Sequence, residues 1–275
     1  MSERTCFIMG LPSAGKTSFL AALSHSLIQK KEKTMLRWPR FTENSQYLTQ
    51  LSEMWLAGEE PGRTQEAAQQ KSLRLELEDD GGQEFQVSFP DLSGELFQRC
   101  LADREIDRSL ADTIKQSDGI MLFISPETIH APKLISELPE DYRMTEQGEP
   151  KSEMPTEVEL VELLQFAEYI RNGKPANLSI VVSAWDILQG SVKNPVEYLQ
   201  NKLPLLWQFL QAYERARYVH CFGVSAQGGS YDVSAAAMEE MLRNYELNPI
   251  MRIQVVDSAG SVSHDITELL WVTMN

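Results

Sequence analysis

The sequence predicts a three-layer α/β fold: a mostly parallel sheet covered by helices on both faces, with one antiparallel edge pair. Three observations lead there. Short apolar runs alternate with segments of helical periodicity along most of the chain, as strands and helices do around a parallel sheet. Runs such as Gly119–Ser125 are apolar throughout, as expected of strands buried on both faces. Only one pair of runs alternates in polarity, Ser72–Glu78 and Phe85–Phe89. Asp79-Asp80-Gly81-Gly82 lies between them and reads as a hairpin turn.

The elements follow in order. Cys6–Met9 is the first strand and ends at Gly10, after which Gly15, Lys16 and Thr17 complete the P-loop spacing G-x-x-x-x-G-K-[ST]. Residues 17–30 carry Phe19, Leu20, Leu23, Leu27 and Ile28 at helical spacing. A basic turn with Lys30, Lys31, Lys33 and Arg37 follows. Residues 44–56 form a second helical pattern, with Tyr47, Leu48, Leu51, Met54 and Trp55 on one face. It breaks at the Gly- and Pro-containing stretch 58–64. After the hairpin, residues 101–116 read as a helix and Gly119–Ser125 as a strand. Residues 126–155, rich in proline and acid, read as an insertion or surface excursion. Residues 156–171 form an amphipathic helix and Leu178–Val182 a buried strand. Residues 195–216 are helical with a break at Pro204, where a proline removes a helical hydrogen bond. Tyr218–Val224 is a strand. The tail adds a helix at 233–246, a strand-like run Ile250–Val256 and a short helix at 265–272.

Composition bounds the function. The 275 residues suit one mononucleotide-binding α/β domain with insertions, and no apolar run reaches the length of a membrane span. The first strand begins within a few residues of Met1, which leaves no room for a signal peptide, so a cytoplasmic location is expected. Twenty-five basic against 40 acidic residues give a net charge of −15, which argues against a broad footprint on nucleic acid or anionic lipid. Cys6, Cys100 and Cys221 are unevenly spaced. Cys6 and Cys221 sit in apolar runs and read as reduced core residues rather than metal ligands.

Ligands of open α/β sheets sit beyond the carboxyl ends of the strands. Four such ends carry polar residues: Gly10–Thr17, Asp91–Gly94, Ser183–Asp186 and Ser225–Gln227. At the first, glycines bring backbone N–H groups close to phosphate oxygens. Lys16 supplies a charge to the β- and γ-phosphates, and the Thr17 hydroxyl can ligate Mg²⁺. Ser13, Ala14 and Ser18 complete the phosphate-facing set. Asp91-x-x-Gly94 suits a carboxylate that holds Mg²⁺ through water and an N–H that senses a γ-phosphate; in isolation the same four residues make an ordinary turn. Asp186 can accept two hydrogen bonds from guanine's N1–H and N2–H₂, or can simply cap a helix. Ser225-Ala226 would let a backbone N–H reach the guanine oxygen.

Taken in order, GLPSAGKT, DLSG, Asp186 and SAQ resemble the guanine-nucleotide motifs of translation-factor-related (TRAFAC) P-loop GTPases over roughly residues 5–230. More narrowly, Gly-x-Pro-x-x-Gly-Lys-Thr, Pro61-Gly-Arg-Thr64, Asp-x-x-Gly-Glu95 and the tail Asp265–Trp271 resemble the prokaryotic double-GTPase group. The resemblance implies a Ras-like P-loop NTPase fold, a single G domain over 1–275 with an insertion at 126–155 and an extension at 247–275. It implies a GTP-hydrolysing switch that uses Mg²⁺. Thr64, with Thr42 as the runner-up, would be the switch-loop threonine that joins Thr17 and Asp91 at the metal, and its neighbour Arg63 either a candidate arginine finger in cis or an ordinary solvated loop arginine. A bacterial multi-protein system, of conflict or defence type, with a second GTPase or effector as partner, is implied likewise. The chain departs from the pattern in three places. Ser183-Ala184-Trp185-Asp186 lacks the lysine that packs along the base, so Trp185 either replaces that cover or is core. Glu95 stands where relatives place the water-orienting glutamine, which suggests slow turnover without a partner. Ser13 replaces the asparagine of potassium-activated relatives. An ATPase of the same fold, a non-hydrolysing nucleotide-stabilised scaffold and a nucleoside phosphotransferase are the competing readings.

Overall fold

The computed structural model describes residues 3–29, 34–39, 45–61, 73–90, 94–131, 154–212, 219–231 and 233–275. Their strands are β1 (Arg4–Gly10), β2 (Leu73–Glu78), β3 (Glu84–Phe89), β4 (Gly119–Ile124), β5 (Asn177–Val182), β6 (Val219–Ser225), β7 (Gln254–Val256) and β8 (Val262–Ser263). They form one sheet in the order β2-β3-β1-β4-β5-β6-β7-β8. β3, β1, β4, β5 and β6 run parallel, and β2 pairs antiparallel with β3 as the hairpin predicts. At the opposite edge the tail adds β7 and β8, each antiparallel to its neighbour.

The helices are α1 (Lys16–Gln29), α2 (Ser45–Ala57), α3 (Glu95–Asp103), α4 (Arg108–Gln116), α5 (Thr156–Arg171), α6 (Pro195–Lys202), α7 (Pro204–Ala212), α8 (Ala235–Asn244) and α9 (Thr267–Met274). Successive strand residues point to opposite faces, so each central strand feeds two cores. Cys6 and Ile8 of β1, with Met121 and Phe123 of β4, face the core shared with α1, α2 and α9. Phe7 and Met9, with Ile120 and Leu122, face the core shared with α3–α7. β2 has one buried face only, Leu73, Leu75 and Leu77, while Arg74 and Glu76 are exposed. That is why it alternates in the sequence and the central strands do not.

Two helical stretches differ from the periodicity. The run expected at 101–116 is two helices. Arg104 ends the first in a left-handed conformation, and the Asp107 carboxylate starts the second by accepting the Ser109 N–H at 2.8 Å. The strand expected from Ile250 begins only at Gln254, because Pro249–Arg252 winds into a 3₁₀ turn. Pro204 breaks its helix as expected, separating α6 from α7. Of the 126–155 excursion, residues 132–153 lie outside the described residues. Its two ends are stitched together: the His130 N–H donates to Thr156 Oγ1 at 2.9 Å, and the Thr156 N–H to the His130 carbonyl at 3.1 Å. α8 has no buried residue and lies with Met238 over Gly58 and Met241 over Gly229. Among the described residues no helix is long and apolar enough to cross a membrane.

All three cysteines are buried and free. Burial pushes the thiols of Cys6 and Cys221 up, the latter to about 12. A thiol reagent is therefore expected to leave both unmodified until the protein is unfolded, read by mass spectrometry. α9 packs tightly on the sheet, so a Cβ added at Gly119 would sit 2.4 Å from the Thr273 carbonyl oxygen. Gly119→Ala is expected to cost about 1–3 kcal/mol in urea unfolding, as overpacking does.

Candidate nucleotide site

β1 neighbours β4, and α1, which follows β1, packs on the face of the sheet opposite to α5, which follows β4, so a crevice opens at the carboxyl ends of the two strands. The P-loop occupies that crevice. The Ala14 N–H closes a turn on the Leu11 carbonyl at 3.3 Å, and α1 starts with the Phe19 N–H on Gly15 O at 2.9 Å. Ser13 (φ 57°) and Gly15 (φ 85°) are left-handed, the backbone form in which consecutive N–H groups converge on an anion. At Gly15 there is also no room for a side chain, since a Cβ would stand 2.7 Å from Ser183. Lys16 is 2% exposed, and its ammonium donates to the carbonyls of Gly10 (2.8 Å) and Leu11 (2.9 Å). The charge is thus held inside the loop by backbone dipoles.

Gly94 presses on the same loop. It is buried, has φ 82°, and a Cβ there would lie 2.5 Å from Leu11 C and Pro12 N. Any displacement of Gly94 is therefore felt by the P-loop backbone directly. Glu95 opens α3 and is exposed; it does not line the cleft. Asp91, Arg63 and Thr64 lie outside the described residues, as do Lys30, Lys31 and Lys33. The chain that leads to Arg63 and Thr64 does reach the cleft, where Glu60 and Pro61 form part of its wall.

The cleft has a volume of about 820 Å³ and runs from Lys16 and Thr17 to the ends of β5 and β6. At that far end Ala184 is left-handed (φ 46°) and starts a 3₁₀ turn, Trp185–Leu188. Asp186 stands in this turn. The Ser225 hydroxyl donates to its Oδ1 at 2.7 Å, and the Gly228 N–H donates to Ser225 Oγ at 3.1 Å. One carboxylate oxygen is thereby oriented and the other has no partner among the described residues. Trp185 is core: it is 4% exposed, stacks edge-on to Tyr198 at 6.5 Å and fills the space beside Gly223. Apolar cover at the cleft comes instead from Ala184 and from Ile187, which is 45% exposed.

Several contributors escaped the sequence. Trp55 Nε1 donates to the Ala226 carbonyl at 2.7 Å and pins the loop that follows β6. Trp55 is itself held between His25, at 4.5 Å, and the Arg252 guanidinium, 3.8 Å from its ring centre. Arg252 Nη2 also donates to the Trp55 carbonyl at 2.7 Å. Arg252 is 1% exposed, and burial brings its pKa down to about 10. Gln227 and Tyr231 line the cleft, as Ser18 does. Burial pushes the Tyr231 hydroxyl up to about 12, so it stays protonated. No short motif announces these contacts, because they join positions far apart in the chain. Ser125 and Glu127 also line the cleft, and they were within reach of the strand-end rule, standing just past the apolar run of β4.

Among the described residues no three acidic, histidine or cysteine side chains cluster as a metal site. Mg²⁺ in general keeps several waters and takes one or two protein oxygens together with substrate phosphates. Thr17, beside Lys16 in the cleft wall, is a fitting hydroxyl donor.

The Trp55 clamp has a measurable consequence. Trp55→Phe removes one buried donor and strands the Ala226 carbonyl. It is expected to cost about 1–3 kcal/mol in urea unfolding and to speed amide exchange in residues 226–230.

No curated protein matches the chain. Among solved structures, the crystal structure of bacterial selenocysteine-specific elongation factor EF-Sec aligns over 91% of this chain at 13% identity and a TM-score of 0.39. The chain spans 29% of that chain's length. The sequence profile of the family Double-GTPase 1 matches residues 7–272. Nearly the whole chain is taken in by that match, and the protein belongs to the Double-GTPase 1 family.

Proposed function

We propose that the chain is a single G domain that binds GTP with Mg²⁺ in this cleft and hydrolyses it to GDP and phosphate, acting as a switch. The observation that carries the reading is the pairing, in one cleft, of the buried Lys16 ammonium at one end with an Asp186 carboxylate oriented by Ser225 at the other. A cation at the phosphates and a fixed acceptor at the base suit a guanine nucleotide, whose N1–H and N2–H₂ form a donor pair that adenine lacks.

In this reading Gly10, Ser13, Ala14, Gly15, Lys16, Thr17 and Ser18 hold the phosphates. Lys16 exchanges its two carbonyl bonds for phosphate oxygens. Ala226 offers its N–H to the guanine oxygen, while its carbonyl is fixed by Trp55. Thr17, with Asp91 and Thr64, would hold the metal. The metal, when bound, offsets charge developing on the phosphates. Gly94 senses the γ-phosphate through its N–H, and its packing on Leu11–Pro12 passes the change to the P-loop. Arg63 is the candidate transition-state cation, and Glu95 takes the chain position of the water-orienting glutamine of relatives. Its exposed position at the start of α3 fits slow turnover that a second protein accelerates. A partner GTPase or effector, in the cytoplasm of a bacterium, completes the proposal.

The test is equilibrium binding of GTP, ATP and XTP to purified protein with Mg²⁺, alongside Asp186→Asn. GTP is expected to win over ATP by about a hundredfold, equivalent to about 2.7 kcal/mol, and the variant to prefer XTP. Equal binding of ATP, with an indifferent variant, would reduce Asp186 to a turn residue and leave an ATPase.

A further inference from the structure

We propose that Gln227 is a second base-reading residue, whose side-chain amide donates a hydrogen bond to guanine O6. The inference rests on the guanine-nucleotide reading above and adds a residue to it.

Gln227 is 4% exposed and lines the same cleft as Asp186. Its Oε1 accepts from the Tyr231 hydroxyl at 3.4 Å, while its Nε2 is buried and makes no hydrogen bond. Buried side-chain amides are rarely left so, because an unpaired donor keeps its full desolvation cost. The nearby acceptors in its own loop are engaged. Ser225 Oγ accepts the Gly228 N–H and donates to Asp186, and the Ala226 carbonyl accepts the Trp55 indole N–H. Tyr231 holds the amide oxygen and so directs which end of the amide remains for a ligand. Nε2 is sealed from solvent in this arrangement, so its complement is an acceptor on a molecule in the cleft that the amide meets by turning about its side-chain bonds.

Guanine supplies one at the right place. With N1–H and N2–H₂ committed to Asp186, the adjoining O6 is an acceptor with two lone pairs, enough for the Ala226 N–H and a side-chain donor. Adenine carries an amino group there, which is itself a donor. A donor at Gln227 therefore discriminates, in a chain whose base motif has Ala184 where relatives carry a lysine. Gln227 reinforces from the β6 side a recognition that is thin on the β5 side.

The experiment compares GTP and ATP affinities, with Mg²⁺, for wild type, Gln227→Met and Gln227→Glu, with thermal unfolding as a control of folding. Methionine keeps the volume and removes the donor, so the GTP-to-ATP affinity ratio is expected to fall about tenfold, mainly through GTP. Glutamate turns the donor into an acceptor, so the ratio is expected to fall further as adenine's amino group gains a partner. A purely packing role would weaken both nucleotides alike and leave the ratio unchanged. An unchanged ratio in both variants, while wild type prefers GTP and Asp186→Asn switches to XTP, overturns the role of Gln227 and leaves the guanine reading intact. A wild type without preference for GTP overturns the guanine reading and this inference with it.

Discussion

β1 is buried on both faces at the middle of the sheet, and the placement of every functional loop follows from that. The helices that follow β1 and its neighbour β4 pack on opposite faces of the sheet, so the loop leaving β1 lies in the crevice where the two connections part. The P-loop inherits this position, and the parallel strands β5 and β6 deliver Asp186 and Ala226 to the same end of the sheet. The Cys6/Ile8 and Phe7/Met9 faces anchor separate helical layers. Shifting β1 in register by one residue would exchange the two cores and move the loop at once. Position and stability are therefore set by the same side chains.

The P-loop and the base loop meet a second constraint, close backbone approach. Gly94 touches Leu11–Pro12, and Gly15 touches Ser183. The Gly94 approach is to backbone and the Gly15 approach only to the short Ser183 side chain, so little slack is left to absorb a movement by rotamer changes. Lys16 sits within this frame, solvated by the Gly10 and Leu11 carbonyls instead of water.

Much of this was legible in the sequence, and the limits are physical. The central strands show as unbroken apolar runs because both of their faces are covered, and β2 shows as alternation because one face is not. Asp186 was placed by its position after β5. Its orientation was not, since the Ser225 hydroxyl that fixes it comes from another strand. Trp185 is ambiguous in one dimension: the ring fills space beside Gly223, a fact about the neighbouring strand. Periodicity joined α3 to α4 because both bury the same face. The Asp107 cap that separates them is a local signal that an apolar count overlooks. Trp55 appeared only as one of five apolar residues on a helix face, and nothing local distinguishes the one whose indole N–H reaches Ala226.

The Trp55 clamp spans unusual distances along the chain. Trp55 meets Ala226 across 171 positions and Arg252 across 197, and Leu36 meets Thr267 across 231. Closing loops of that size costs entropy that only a largely formed core can offset. The phosphate end of the cleft, built from β1 and α1 with their immediate neighbours, can take shape early. The base end must wait for the 3₁₀ turn that carries Arg252. During synthesis on the ribosome the cleft therefore matures in two stages, and the end that carries Asp186 and Ala226 is among the last parts of the molecule to be assembled.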